Sequence, residues 1–252
     1  MTVELLSCTP NALNLLLATK GVRLSSLDDP ASWDEAKKLE HLAYMRDTIK
    51  SSWEFVDYTF KISGVTRAFT HQLVRTRTGS YAQQAQRVVD VRDQPVECPP
   101  NIAGNADARE IWTGAEECVI DAYSDLLDRG IAPQDARGIL PTNMTTTIIA
   151  KYNLRSLHDM ALVRLCTRTQ GEYQSVFKAM KQKVVEAHPW ADDFICVHCV
   201  EYGTCAFPRY GKVECPVYFC GMDNTAVKSA AKNRWESCEY EASPRAKNGM
   251  AQ

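Results

Sequence analysis

No stretch of this chain approaches eighteen uninterrupted apolar residues, so no membrane-spanning helix is expected. Cations are not in excess: 29 lysines and arginines stand against 31 aspartates and glutamates, a formal charge of −2. That balance argues against wholesale neutralisation of a nucleic-acid backbone, without excluding a local cationic pocket. No G-x-G-x-x-G fingerprint follows a strand-like segment, which disfavours a Rossmann dinucleotide site. The 5 histidines do not cluster at ligand spacing, so metal catalysis is not indicated. The start, MTVELLSCTP, lacks a basic region leading into an apolar stretch, so no signal peptide is expected and the natural class is a cytoplasmic enzyme. Internal repeats and low-complexity tracts are also missing.

What is present is an ordinary globular composition: 252 residues, 45% hydrophobic and 24% charged, enough for one large domain or two small ones. The 10 cysteines read as reduced thiols in a long chain without a secretory leader. Five of them, Cys196, Cys199, Cys205, Cys215 and Cys220, fall close together and open on a C-x-x-C pair. Such a pair is a common half-site for structural zinc, but no second C-x-x-C follows, and thiols in a packed tail are the plainer reading. Beyond about residue 221 the chain is polar and mixed in charge, a tail rather than a core.

Periodicity predicts alternating strands and helices, an α/β or α+β fold. VELLS at 3–7 reads as a strand, and NALNLLLATKG as a helix closed by Gly21. Ser32 and Glu35 fit a capping box for the next helix. In EFVDYTFKI, Val56, Tyr58, Phe60 and Ile62 share one face, a strand that Gly64 breaks. VTRAFTHQLVRTR has helical period up to Gly79, and 88–113 reads as an irregular excursion. EECVIDAYSDLLDRG is an amphipathic helix stopped by Gly130, and APQDARGILP opens another with Pro133 in its first turn. MTTTIIAKY is rich in β-formers, with a helical alternative. SLHDMALVRLC and TQGEYQSVFKAMKQKVVEAHP are helical; Val176, Phe177, Met180 and Val184 form the buried stripe of the second, which Pro189 ends.

The stretch RTRTGSYAQQAQR, residues 75–87, is the end of a helix plus the loop that leaves it. It carries Arg75, Arg77 and Arg87 without one acidic residue among them. Arginines at a helix C-terminus complement its dipole. That accounts for one or two of the three, and neither for Arg87 nor for the glutamines between them.

TFKISGVTRAFTHQLVRTRTGSYAQQAQR is similar to the signature of the flavin-dependent thymidylate synthases: Arg-His-Arg, seven residues, Ser, and an Arg shortly after. The resemblance continues in order through DARGILP at 135–141, NLRSL at 153–157, LVRLCTRTQGEYQ at 162–174 and HPW at 188–190, covering roughly residues 1 to 210. Thr76 stands where the family has histidine, Ala85 where it has the motif serine, Ala82 where serine or asparagine is usual, and Glu54-Phe55 where a Glu-His pair is expected. This altered pattern resembles the branch that methylates UMP and dUMP in polyoxin-type nucleoside antibiotic biosynthesis.

The resemblance implies a twisted sheet flanked by helices over residues 1–220, with 221–252 as the tail, and a homotetramer with active sites between subunits. It implies methylation of a uracil nucleotide at C5 with methylenetetrahydrofolate as carbon donor and NADPH-reduced FAD as hydride donor. By the same token, Gln72, Arg75, Gln84, Ala85, Gln86, Arg87, Arg137 and Arg164 line the nucleotide. Arg75, Thr76, Arg77 and Gln83 touch the flavin, as do Asn153, Arg155 and Asp159, and more weakly Ser51. Arg164 matches the residue that polarises the uracil ring. Read from the residues alone, Arg137 is better explained by an ion pair with Asp135 or with another helix, and Asp159 as well explained by a helix cap begun at Ser156. No thiol nucleophile is implied, so Cys98 and Cys166 read as bystanders, and no metal is expected. Two alternatives stay open: a housekeeping thymidylate synthase acting on dUMP only, and an inactive flavin- or nucleotide-binding relative.

Overall fold

Strand β2 (Asp57–Thr66) organises the molecule, because its alternation is complete: Tyr58, Phe60 and Ile62 are fully buried while Thr59 and Lys61 face outward. Burying each such side chain contributes roughly 1.5–3 kcal/mol. In the computed structural model, which describes residues 1–25, 29–48 and 50–207, β1 (Thr2–Cys8) pairs antiparallel along one edge of β2. Helix α1 (Ala12–Arg23), α2 (Glu35–Asp47) and a 3₁₀ segment, Lys50–Phe55, fill the interval between these two strands. After β2 come α3 (Arg67–Leu73) and the short strand β3 (Ser80–Gln83). Helices α4 (Pro100–Ala103), α5 (Ala106–Asp128) and α6 (Pro133–Ala136) lead to β4 (Thr145–Asn153). The chain continues through α7 (Leu154–Arg164), α8 (Gly171–Ala187), a 3₁₀ turn Pro189–Phe194 and α9 (His198–Tyr202).

The sheet order is β1-β2-β4-β3, every pairing antiparallel. This makes the fold α+β. The register places Phe60 opposite Ala150 and Ile62 opposite Ile148, so the inner faces of β2 and β4 form one apolar surface. Helices α7 and α8 pack there: Leu157, Met160, Ala161, Val176, Phe177, Met180 and Val184 are buried in the same core. Among the described residues, helices cover one face of the sheet only. On the other, Lys61 meets Glu4 at 3.4 Å, Lys151 meets Asp57 at 2.7 Å, and Ile149 stays partly exposed. A separate small core of Val91, Tyr123, Ala136 and Met144 lies under α5. That helix is otherwise solvated, and Ile111 is 75% exposed.

Several expected boundaries move. Gly21 does not close α1, which runs on to Arg23. The cap of α2 is Asp34, whose carboxylate accepts from the Lys37 N–H at 2.7 Å, while Ser32 belongs to a preceding 3₁₀ turn. Gly64 does not break β2. At φ +66° it makes a bulge between Ser63 and Val65, and pairing with β4 resumes beyond it. Helix α3 ends at Leu73, six residues before Gly79, and the stretch taken as a loop contains β3. The irregular excursion at 88–113 contains α4 and the first turns of α5. MTTTIIAKY is strand, not helix. The proposed boundary at 220 and the tail lie outside the described residues.

Candidate active site

Helix α3 begins where its capping residue is clamped from afar. The Thr66 backbone N–H and hydroxyl donate to the two carboxylate oxygens of Glu172, at 2.7 and 2.6 Å, and the Thr66 oxygen accepts from the Phe69 N–H at 3.0 Å. The first turn of α8 therefore fixes the first turn of α3. At the other end the chain winds through tight turns: the N–H groups of Arg75 and Thr76 reach back to the Gln72 and Leu73 carbonyls. Two tyrosines hold this turn from beneath. The Tyr81 hydroxyl donates to the Thr76 carbonyl at 2.6 Å, shares the Leu73 carbonyl at 3.1 Å, and accepts from the Tyr152 hydroxyl at 3.1 Å. Burial pushes the pKa of both phenols up, so both remain protonated donors. Gly79 is required for the close approach: a Cβ there would run into the Tyr152 ring.

On this support Arg75 and Arg77 are exposed, and no carboxylate pairs with either among the described residues. The amides beside them are partly engaged. Gln83 donates to the Thr70 hydroxyl at 2.9 Å, and Gln72 to the Gln170 side chain at 2.7 Å. The Gln84 N–H extends the sheet to the Thr147 carbonyl. Gln86 turns inward, its side chain 3.4 Å from the Met144 sulfur, while Ala85 and Arg87 face outward.

Arg67 completes this edge, although nothing in its helical spacing separated it from a surface residue. Its Nη2 donates to the Gln84 carbonyl at 2.6 Å, and its Nε is buried without a hydrogen-bond partner. Burial, and then the like charge of Arg137, lower its pKa. Two guanidinium groups therefore sit within each other's field with no carboxylate between them, an arrangement suited to an anion. The ion pair between Arg137 and Asp135 weighed from the sequence does not form.

Arg164 closes α7 and lies over the ring of Tyr173, 4.4 Å from its centroid. Sequence periodicity marked Tyr173 only as a residue of a helix; the structure makes it the floor beneath Arg164. Asn153, Arg155, Asp159 and Ser51 belong to a different patch, where the start of α7 meets the 3₁₀ segment. Asn153 caps α7, its side-chain oxygen accepting from the Ser156 N–H at 2.8 Å. A cap begun at Ser156 is thereby overturned: Ser156 is already helical, and Asp159 is exposed in the middle of the helix. Arg155 donates to Glu54 at 2.7 Å. Below them Lys50 donates to His158 Nε2 at 2.8 Å, and His158 Nδ1 donates to the Phe194 carbonyl at 2.8 Å.

Cys196 donates toward Glu201 at 3.3 Å, and burial raises its thiol to about 12. Among the described residues no group of three or more histidine, cysteine, aspartate or glutamate side chains is placed to hold a metal. Cys215 and Cys220 lie outside the described residues.

The chain and its fold have known relatives. The chain is 33% identical over 203 residues to a flavin-dependent thymidylate synthase of Geobacter sulfurreducens, spanning 75% of this chain and 84% of that one. It is 33% identical over 233 residues to one from Nitratidesulfovibrio vulgaris, spanning 86% and 94%. The fold matches the crystal structure of the UMP/dUMP methylase PolB from Streptomyces cacaoi bound with 5-Br dUMP. That match has a TM-score of 0.65 at 21% identity, over 77% of this chain and 93% of that one. The model of the thymidylate synthase complementing protein family spans residues 4–190, from β1 through α8 and every group described above as far as Trp190, and the chain belongs to that family.

Proposed function

We propose that this chain is a flavin-dependent methylase that places a carbon at C5 of UMP and of dUMP, taking the carbon from methylenetetrahydrofolate and reducing power from NADPH. The observation that carries the reading is the set of cations without counter-charges. Arg75, Arg77, Arg87 and Arg137 have no carboxylate partner among the described residues, and Arg67 has a buried, unpartnered Nε. Groups in this state repel one another until an anion neutralises them. Arg67, Arg87 and Arg137 suit a nucleotide phosphate, since the guanidinium fork matches its oxygens. Gln72 and the Gln84–Gln86 backbone suit the base and sugar.

The residues present also fit FAD. Arg75, Arg77 and the Gln83 amide offer donors to an electron-rich ring system, and Arg155, Asp159 and Ser51 offer exposed polar groups on the second patch. Asn153 is already used as a helix cap, so its side chain has less left to offer. Bound flavin supplies the hydride chemistry; the chain supplies position and electrostatics. Arg164, beside N3 and O4 of the uracil, favours the electron-rich form in which C5 is nucleophilic. Thr76 cannot stack as an imidazole would, so flavin contact at that position is reduced.

The face of the sheet that no described helix covers and the solvated length of α5 support assembly as a homotetramer in which neighbouring copies close the site. The test is direct. The protein is incubated with FAD, NADPH, methylenetetrahydrofolate and either UMP or dUMP, and 5-methylated nucleotide is measured. Product from both supports the reading. Product from dUMP alone makes the chain an ordinary thymidylate synthase, and product from neither makes it an inactive relative.

A further inference from the structure

We propose that Tyr173 is a positioning residue for Arg164, its ring face fixing the guanidinium plane while leaving the positive charge undiminished. The inference rests on the reading that Arg164 faces the uracil. Its own observations are independent of that reading. Tyr173 is fully buried, and Phe69 of α3 meets it edge-on at 5.0 Å and 88°, so the ring cannot swing. Arg164 stacks 4.4 Å above the centroid, and no carboxylate pairs with it among the described residues. The Tyr173 hydroxyl is buried and, although Thr76 and Arg164 are close enough to bias its ionisation, makes no hydrogen bond of good geometry to either. The contact that orients Arg164 is therefore the ring face.

The choice of partner has a chemical consequence. A carboxylate, such as the one Glu54 offers Arg155, would hold a guanidinium equally well and cancel most of the field it exerts on a substrate. An aromatic face attracts the cation through its quadrupole and carries no net charge. Burial raises the pKa of Tyr173, which keeps the ring a neutral phenol. Arg164 is thus held at the end of α7 with its charge available to whatever anionic group enters.

Replacing Tyr173 by leucine should lower kcat for UMP by about tenfold, the scale of a partly desolvated cation–π contact. Replacing it by phenylalanine should recover most of that loss. KM and FAD content should move little in either. Because leucine changes shape, a second series keeps it: phenylalanine, 4-fluorophenylalanine and 3,4,5-trifluorophenylalanine at 173, which drain the ring face stepwise. kcat should fall along the series with Tm constant. A flat series, or a phenylalanine variant as slow as leucine, overturns the inference. Arg164→Ala run alongside separates the two claims. Wild-type turnover in that variant defeats the role of Arg164 itself, whereas a slow Arg164→Ala with a flat ring series defeats only Tyr173.

Discussion

Two regions of the molecule treat their charges in opposite ways. Where α7 meets the 3₁₀ segment, the groups are answered within the chain: Arg155 by Glu54, Lys50 by His158, His158 by the Phe194 carbonyl, and the α7 N-terminus by Asn153. From Arg75 to Arg87, and across to Arg67 and Arg137, the backbone is pinned by tyrosine hydroxyls and sheet hydrogen bonds while the cations themselves stay open. A fold gains nothing from clustering unneutralised arginines on a rigid support. The contrast separates charges already paired within the chain from charges left open to a ligand.

Arg164→Ala should break the comparison hardest. If its uncompensated charge acts on the reacting base, kcat falls on the order of 10²–10³ while FAD binding is largely kept. Stopped-flow turnover near the wild-type rate would remove it from the chemistry. The next contrast sets an unanswered arginine against an answered one. Arg137→Ala should raise KM for UMP about ten- to a hundredfold, the scale of a lost charge-assisted hydrogen bond of roughly 1.5–3 kcal/mol. Arg92 already has Asp90 at 2.8 Å and Asp128 at 3.2 Å. Arg92→Ala should leave that KM and the urea midpoint unchanged, because an exposed ion pair contributes little. Equal KM values in the two variants would erase the distinction.

The answered region should instead respond to acid. Burial, then the Phe194 carbonyl in opposition and Lys50 in support, leave the His158 pKa below its ordinary 6.5. The folded state holds it neutral, and the unfolded chain takes a proton as pH falls through about 6.5. Its contribution is therefore complete above that pH and is lost progressively below it, until the folded value is passed. His188, also lowered by burial, acts in the same direction. Urea midpoints between pH 8 and 5 should fall less steeply in His158→Gln than in the parent, with the residual slope belonging to His188. Identical slopes would show that His158 does not carry the loss of stability in acid.

Legibility in the sequence followed the same division. The strand around Phe60 and the stripe Val176, Phe177, Met180, Val184 were readable because burial imposes a period, and the structure buries those residues. Glycine misled three times, since α3 stops at Leu73, well before Gly79. Gly64 serves a bulge rather than an end, and Gly21 lies inside α1, because pairing and packing on either side outweigh its backbone cost. β3 is four residues long with only intermediate burial, so its pattern was too short to stand out, and its identity comes from pairing with β4. The lack of an acidic residue between Arg75 and Arg87 was plain in one dimension. The pairing of Arg155 with Glu54, 101 residues away, was not, nor was Tyr173 beneath Arg164.

The smallest expected effect probes the least charged part of the open region. Ala85 faces outward beside Gln86, whose own side chain turns into the core toward Met144. The resemblance puts a serine at this position. If that hydroxyl were a required nucleophile, a chain with alanine could not turn over. If it only orients the base, the loss is bounded by one hydrogen bond, about 1 kcal/mol. The second case agrees with a site whose cations and amides are otherwise complete. It also agrees with a wider acceptance of sugars, since Ala82 and Ala85 are both exposed and carry no hydroxyl on the stretch that bears Arg75, Arg77 and Arg87. Ala85→Ser should therefore keep the enzyme active and shift the UMP-to-dUMP ratio of kcat/KM by about tenfold at most. A parent that methylates dUMP alone, with a ratio unmoved by the added hydroxyl, would show that the alanines do not set sugar preference and that the open arginines alone select the substrate.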